Sequence, residues 1–315
     1  MKLITLTESN SDSFLIKVEG KERQHHILID GGYKQNAKKA LRLLENIIEE
    51  HQMIDLVILT HVDTDHINGL LAIFKSEKIT SSTVGKVLFN VPHSAIELES
   101  IKEKPTQCGY SDGNDLLKII VDKGINLESA VQGDVYKVGD DVTIDILAPT
   151  LSAVEKDHKE WRDTNIGYEA EPEYDKKNLI AEVHREDDKP QNVSSIVCLI
   201  KSSNKSVLMC GDSVPSQIIN GVSDITPVDL MKIPHHGSKY NINDEVLKFF
   251  PTKKFLIPGS RTGYPNYYTI ALIENYHENS SVYVPGRSWV HKPELNGGIE
   301  LNFVDYKVGT EIELC

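Results

Sequence analysis

Apolar positions along this chain follow two rhythms. "KLITL", "SFLIKV" and "HHILIDGG" are short apolar runs separated by turns, and they predict strands. In "NAKKALRLLENIIEEHQ" the apolar residues Ala40, Leu41, Leu44, Ile47 and Ile48 recur at helical spacing, which predicts an amphipathic helix. "IDLVILT" is almost wholly apolar, as expected of a strand covered on both faces. "HINGLLAIFKSEK" predicts a helix and "KVLFNV" a strand. Two further helices are expected in "SAIELESIKEK" and "GNDLLKIIVDKG", the second closed by Gly124. "DVYKVGDDVTIDILAP" predicts a hairpin turning at Gly139-Asp140.

From about Leu151 to Gln191 the rhythm stops. The segment is polar, charged and poorly periodic, a surface excursion that reads either as a solvated loop or as a substrate-facing lid. Regular structure resumes with "SSIVCLI", "SVLMCGD", "VDLMKIPHHGS", "KFLIPGS", "SVYVP" and "GIELNFV". Strands alternate with helices in both halves, so the expected class is α/β. The expected architecture is one domain over residues 1–315, with two sheets between helices.

Charge and cysteine content narrow the setting. Acidic residues outnumber basic ones by 47 − 34 = 13, a field that repels polyanions and disfavours a general nucleic-acid coat protein. Local grip on phosphate through metal ions stays open. Cys108, Cys198, Cys210 and Cys315 form no CxxC pair, which argues against a disulfide framework and fits a reducing cytoplasm. The opening "MKLITLTESN" has no signal-peptide pattern, and no apolar run reaches the roughly 20 residues of a membrane span. A soluble cytoplasmic protein with no membrane partner is expected, its oligomeric state undetermined.

The chemistry concentrates at strand ends. "THVDTDH" sets His61, Asp63, Asp65 and His66 directly after the run "IDLVIL". Imidazole nitrogens and carboxylate oxygens converging above a sheet are ligands for zinc, iron or manganese. The bland alternative is a capped helix start, with aspartates on amides and incidental histidines. "VLMCGDS" places Asp212 at the end of another apolar run, and "LMKIPHHGS" places His235 and His236 at the end of a third. Three strand ends finishing in ligand-type residues are what a shared metal centre requires.

In these motifs the sequence resembles the metallo-β-lactamase superfamily. "THVDTDH", "NVSSIV", "MCGD" and "KIPHHGS", in that order, are closest to the hydrolase domain of ComEC-type DNA-uptake proteins, without their membrane segments. The resemblance implies an αββα sandwich of two mixed sheets and two metal positions. His61 and Asp63 would serve the first. Asp65 and His66 would serve the second, with one of His235 or His236, the other positioning a substrate phosphate or holding the turn, and Asp212 would bridge the two. Asp30, ending "ILID", would give structural support. One departure is the lack of a histidine shortly before the bridging aspartate; Asn192 is nearest to that place, and His184 is on the wrong side of the loop. Oxygen-rich ligation of the first position would favour Mn²⁺ over Zn²⁺, and one or two divalent ions per chain remain open.

The implied activity is hydrolysis by metal-activated water, oriented or deprotonated by Asp65 or Asp63. Phosphodiesters suit such a centre, in nucleic acid or in a small nucleotide substrate. Lys232, Ser238 and Lys239 flank the late histidines and are candidates for phosphate contact. Arg261, Tyr264, Asn266, Tyr267 and Tyr268 in "IPGSRTGYPNYY" either wall the site or pack against the domain. Competing readings are a small-molecule hydrolase (lactone or phosphorylated metabolite) and a regulatory binding protein with a degenerate centre.

Overall fold

Strands that are apolar on both faces need a core on each side. The computed structural model, which describes residues 1–92, 109–159, 174–260, 263–292 and 298–314, supplies them. Among the described residues, the first sheet contains β1 (Lys2–Thr5), β2 (Phe14–Glu19), β3 (Gln24–Ile29), β4 (Ile54–Ile58), β5 (Val84–Leu88) and β6 (Leu127–Glu128). The second contains β7 (Val135–Val138), β8 (Val142–Ala148), β9 (Val197–Ser202), β10 (Lys205–Met209), β11 (Leu230–Lys232), β12 (Lys254–Leu256), β13 (Ser281–Pro285) and β14 (Asn302–Tyr306). The last strand, β15 (Glu311–Glu313), crosses back to pair antiparallel with β1, a return that the sequence pattern did not announce.

Alternation along each strand divides the core. Ile27, Ile29, Leu56 and Ile58 face the second sheet and meet Ile144, Ile200, Val207 and Leu230. The intervening Leu28 and Val57 face outward onto α1 (Ala37–Glu49) and α2 (Thr64–Phe74), against Leu44, Ile47, Leu70 and Ile73. Beyond the second sheet, Leu208, Met231 and Phe255 pack with Ile218 of α7 (Pro215–Asn220), Val246 of α8 (Asp244–Phe249) and Ile270 of α9 (Tyr267–Tyr276). The chain is thus a two-sheet α/β sandwich with helices on both outer faces, as the pattern predicted. The helix ending near Gly124 is α3 (Tyr110–Asp122), and Gly124 has φ +61°. The hairpin is β7–β8. The helix expected in "SAIELESIKEK" lies outside the described residues.

The 151–191 stretch is more regular than its composition suggests. Its described part contains α4 (Leu151–Lys159), α5 (Lys176–Ala181) and α6 (Pro190–Val193), short helices that bury Ala153, Val154 and Leu179 while leaving Leu151 exposed. Helices this short leave too few periods for a periodic signal. No helix among the described residues is long and apolar enough to cross a membrane.

β3 runs parallel to β4, and β10 to β11, so the polar residues after these strands emerge on one rim. The turn after β3 is set by a close approach: the Gly31 amide donates to His66 O at 2.8 Å and Gly69 donates to Gly32 O at 2.7 Å. A Cβ at Gly69 would sit 1.8 Å from Gly31 O. Gly69→Ala is therefore expected to push α2 off the sheet and lower stability by about 1–3 kcal/mol, the usual range for overpacking. Urea unfolding followed by circular dichroism measures it; an unchanged midpoint would mean that the contact does not set the helix position.

Candidate metal centre

A buried strand that runs out at a rim must hand its polar residues to other partners, and here those partners are each other. Asp63 is the N-cap residue of α2, yet its side chain makes no capping hydrogen bond; only its backbone carbonyl receives the amides of His66 and Ile67, at 2.9 and 3.0 Å. Its Oδ1 is buried without a partner, and its Oδ2 lies 3.7 Å from His61 Nε2. The capping alternative thus leaves the carboxylate unused, whereas a cation would use it.

The second residue in the arrangement is Asp212, after β10. Its Oδ1 stands 3.4 Å from His66 Nε2, and its Oδ2 stands 3.7 Å from both His61 Nε2 and His235 Nε2 and 4.0 Å from His236 Nε2. His236 Nε2 in turn lies 2.8 Å from Asp65 Oδ2. His61, His66 and Asp212 present donor atoms all within 4.8 Å of one another. Nε2 of His61, Nε2 of His66 and Asp212 Oδ1 are buried and have no hydrogen-bond partner. Orphaned lone pairs and carboxylate oxygens in one buried cluster carry a large desolvation cost, which a divalent cation relieves. The donor set therefore fits the metal that the motifs implied.

The backs of the rings are tied to the scaffold. Asp30 Oδ2 lies 2.8 Å from His66 Nδ1, and the Asp30 carboxylate also receives the Thr60 amide and hydroxyl, each at 2.8 Å. This fulfils the supporting role expected of Asp30 and turns Nε2 of His66 toward Asp212. His236 Nδ1 is 3.1 Å from Pro258 O, and His235 Nδ1 is 3.1 Å from Asn241 Oδ1. The Ser195 hydroxyl accepts the Asp212 amide at 3.0 Å. At Gly211, where φ is +50°, a Cβ would lie 2.2 Å from that hydroxyl oxygen.

Electrostatics of the cluster are dominated by its own charges. Burial pushes the carboxyls of Asp65 and Asp212 up, but facing imidazoles overcome it: His236 and His66 hold Asp65 low, and His66, His235 and Lys232 hold Asp212 well below the usual range. Burial alone would lower His66, yet Asp212, Asp30 and Asp12 raise it well above the usual imidazole value. Asp65 and Asp212 are thus held ionised by their neighbours.

The expectation for Lys232 is corrected. Lys232 does not reach the open side: its side chain is fully buried, donates to Gly211 O at 2.7 Å, pairs with Asp12 and stands 3.5 Å from Asp212 Oδ1. Burial lowers its ammonium, but Asp12 and Asp212 raise it further, so it stays charged inside the rim. Ser238 is buried within the turn and accepts the Tyr240 amide at 3.3 Å. Lys239 lies over the Tyr240 ring, 5.2 Å from its centre. In the following loop Tyr264 faces the centre, its ring 5.8 Å from that of His235 and stacked at 30°. Tyr267 packs on Trp289, Tyr268 on His184, and Asn266 receives the Lys239 amide at 2.7 Å. Arg261 lies outside the described residues. His184 is thereby placed against tyrosines rather than in the ligand cluster.

Four residues that sequence reasoning passed over also converge here. Asp12, from the polar run after β1, joins His66 and His236 in a second group of donors within 4.8 Å, but the Lys232 ammonium already neutralises it. Asp187 and Asn241 surround His235. Asp157 of α4 is buried and receives the Tyr110 hydroxyl at 2.5 Å, and burial pushes its carboxyl up. Asp12 and Asp187 sit among other polar residues and carry no local signal. Asn192, fully buried, donates to Asp187 Oδ2 at 2.7 Å.

A family model described as the metallo-beta-lactamase superfamily matches residues 6–259. Among solved structures, the metallo-beta-lactamase fold protein YhfI from Bacillus subtilis is similar at 11% identity, with 99% of each chain covered and a TM-score of 0.47. Zn(2+)-bound PqqB from Methylobacterium extorquens is similar at 10% identity, with 100% of each chain covered and a TM-score of 0.49. A diphosphatase from the PhnP family is similar at 12% identity, covering 100% of this chain and 98% of that one, with a TM-score of 0.45. No curated protein matches the chain.

Because Asp30 fixes the His66 ring, Asp30→Asn is expected to weaken metal binding by roughly 10–100-fold, the usual effect of losing a supporting carboxylate. Titration of the metal-stripped variant with Mn²⁺ and Zn²⁺ by calorimetry reads it. Affinity equal to that of the unaltered protein would remove Asp30 from the centre.

Proposed function

The chain belongs to the metallo-beta-lactamase superfamily of metal-dependent hydrolases, and we propose that it hydrolyses phosphodiester bonds with two divalent ions held at this rim. The observation that carries the reading is Asp212, whose two oxygens address different partners: Oδ1 faces His66, and Oδ2 faces His61. A carboxylate divided in this way suits two positions. We assign His61 and Asp63 to the first, Asp65, His66 and His236 to the second, and Asp212 to both. His236 is preferred over His235 for the second because its Nε2 lies beside Asp65, which His235 does not approach among the contacts formed. Zinc and manganese are the candidate ions, with the oxygen-rich first position favouring manganese.

When bound, such ions supply Lewis acidity and acidify water, the chemistry that phosphodiester hydrolysis needs at both the attacking and the leaving oxygen. The chain's own groups prepare the place. Asp65 stays at the open side as an acceptor that orients water, 16% exposed against 2% for Asp212, while the more buried Asp63 can do so from beside His61. The low proton affinity of Asp65 suits orientation better than proton removal. Lys232 acts from below, holding Asp212 in place rather than gripping substrate.

The motif order supports placement beside the ComEC-type hydrolase domains and hence a nucleic-acid or nucleotide substrate. A small diester is favoured over long DNA by one observation. A cavity of about 460 Å³ meets the late-histidine turn at Lys239 and Tyr240 and holds none of the proposed ligands; Glu182, Glu186, Asp244 and Glu245 line it and disfavour a polyanion that approaches along this side. A lactone or a phosphorylated metabolite is the alternative small substrate.

Metal-stripped protein reloaded with Mn²⁺ or Zn²⁺ is expected to cleave bis-p-nitrophenyl phosphate. Asp65→Ala/His66→Ala should lower the rate on the order of 10³-fold, matching a loss of several kcal/mol of metal assistance. Parallel assays on single-stranded and duplex DNA rank the substrates. Metal-loaded protein that cleaves none of the three but opens a lactone would overturn the phosphodiester reading.

A further inference from the structure

Two adjacent histidines emerge from β11, and their surroundings differ. The His236 ring is 2% exposed, with Nε2 against Asp65 and Nδ1 against the Pro258 carbonyl. The His235 ring is 13% exposed at the open side, stacked on Tyr264. His236 belongs to a group of close donor atoms with His66, whereas His235 belongs to no such group among the described residues. Its Nε2 approaches Asp212 Oδ2 alone, at 3.7 Å.

The back of His235 is nonetheless held closely. Asn241 Oδ1 lies 3.1 Å from Nδ1, and the Asn241 amide nitrogen donates to Asp212 O at 2.9 Å. Asp187 Oδ2 lies 3.5 Å from the same Nδ1 and is itself fixed by the Asn192 amide at 2.7 Å. The Asp187 amide donates to Tyr240 O at 3.1 Å, which ties the 182–189 strand of chain to the turn that carries the histidines. Two buried asparagines and a half-buried aspartate thus orient a ring whose far nitrogen looks over the centre from its open side. Its Nδ1 faces Asn241 Oδ1 and Asp187 Oδ2 behind the ring, which leaves Nε2 as the nitrogen that can donate toward the centre. A carboxylate behind an imidazole steadies that donation toward an anionic oxygen in front of it.

We infer that His235 contacts the phosphoryl group of the substrate rather than a metal ion, with Asp187 and Asn241 as its positioning residues. The adjacent histidines then divide the work, His236 on the ion and His235 on the substrate. The inference rests on the phosphodiester reading for its substrate class. The 151–191 excursion gains a function by it, since Asp187 reaches the site from that segment and is fixed there by Asn192 just beyond it.

The test uses His235→Ala, His236→Ala and Asp187→Asn in the full chain, with His235→Gln as a second variant should the alanine fail to fold. Bound Mn²⁺ and Zn²⁺ are counted by elemental analysis after dialysis, and inorganic phosphate is titrated into the metal-loaded proteins. His235→Ala is expected to keep the ion count of the unaltered protein and to bind phosphate at least roughly 10-fold more weakly, with kcat on the diester down on the order of 100-fold. Asp187→Asn should keep both the ion count and the unfolding midpoint while lowering kcat about 10-fold, a pattern that a merely structural role would not give. His236→Ala should lose an ion. If His235→Ala loses an ion, or if it binds ions and phosphate like the unaltered protein, the inference falls. Absence of diester cleavage by the unaltered protein overturns the preceding reading instead, while ion counts and phosphate titration still decide between the two histidines.

Discussion

The buried carboxylate of Asp212 is the constraint on which the rim depends. It sits at the end of β10, 2% exposed, and an isolated charge there would cost several kcal/mol. Lys232, one strand over, answers part of it from the interior, and Asp12 shares that ammonium. The remainder faces His61, His66, His235 and His236 on the open side. Cationic compensation from below and ligand nitrogens from above make the position meaningful only with positive charge between them. Register serves this end: β10 and β11 run parallel with Met209 opposite Lys232, which puts the ammonium level with the turn that bears the aspartate.

Much of this was legible in the chain. Apolar runs ending in "HVDTDH", "CGD" and "PHHGS" marked three strand ends, and parallel strands bring such ends to one rim. Both-face burial of "IDLVIL" followed from its almost wholly apolar character, and the two-sheet sandwich followed from strands and helices alternating in both halves. What stayed hidden depends on distance in sequence. Asp12 meets Lys232 across the gap between the sheets, and nothing in "TESNSDS" distinguishes that aspartate from its neighbours. Asp187 stands in a run of charged residues where composition argues for solvent. Lys232 was misjudged because a lysine beside histidines suggests an anion site, whereas alternation along β11 turns its side chain inward to a buried partner.

The polar excursion shows why composition alone misleads. Its helices are short, and its apolar residues are few, so neither periodicity nor hydropathy registers it as structure. Yet Asp157 receives the Tyr110 hydroxyl, and Asp187 reaches His235. Both contacts consume polar residues that would otherwise count as surface. The described part is mixed: Asp157 is buried and Asp187 lies beside His235, while Leu151 and Val183 stay exposed.

The turn that bears the histidines explains how neighbours in sequence can serve different partners. In an extended strand, adjacent side chains point to opposite faces, so one of the two would leave the centre. Here His235, His236 and Gly237 have φ of 45°, 55° and 86°, all in the left-handed region. For the two histidines that costs about 1–3 kcal/mol each and persists only under outside restraint. The restraint is visible: the His235 amide donates to Gly211 O at 3.1 Å, and Gly237 O receives both the Asn266 amide at 2.9 Å and the Thr269 hydroxyl at 2.7 Å. The resulting rings stand 5.8 Å apart at 70° to one another, both on the side of the centre. One ligand could be delivered by an ordinary turn without strain. Keeping two rings at the rim in different orientations is what this backbone achieves, and that favours two separate tasks for them.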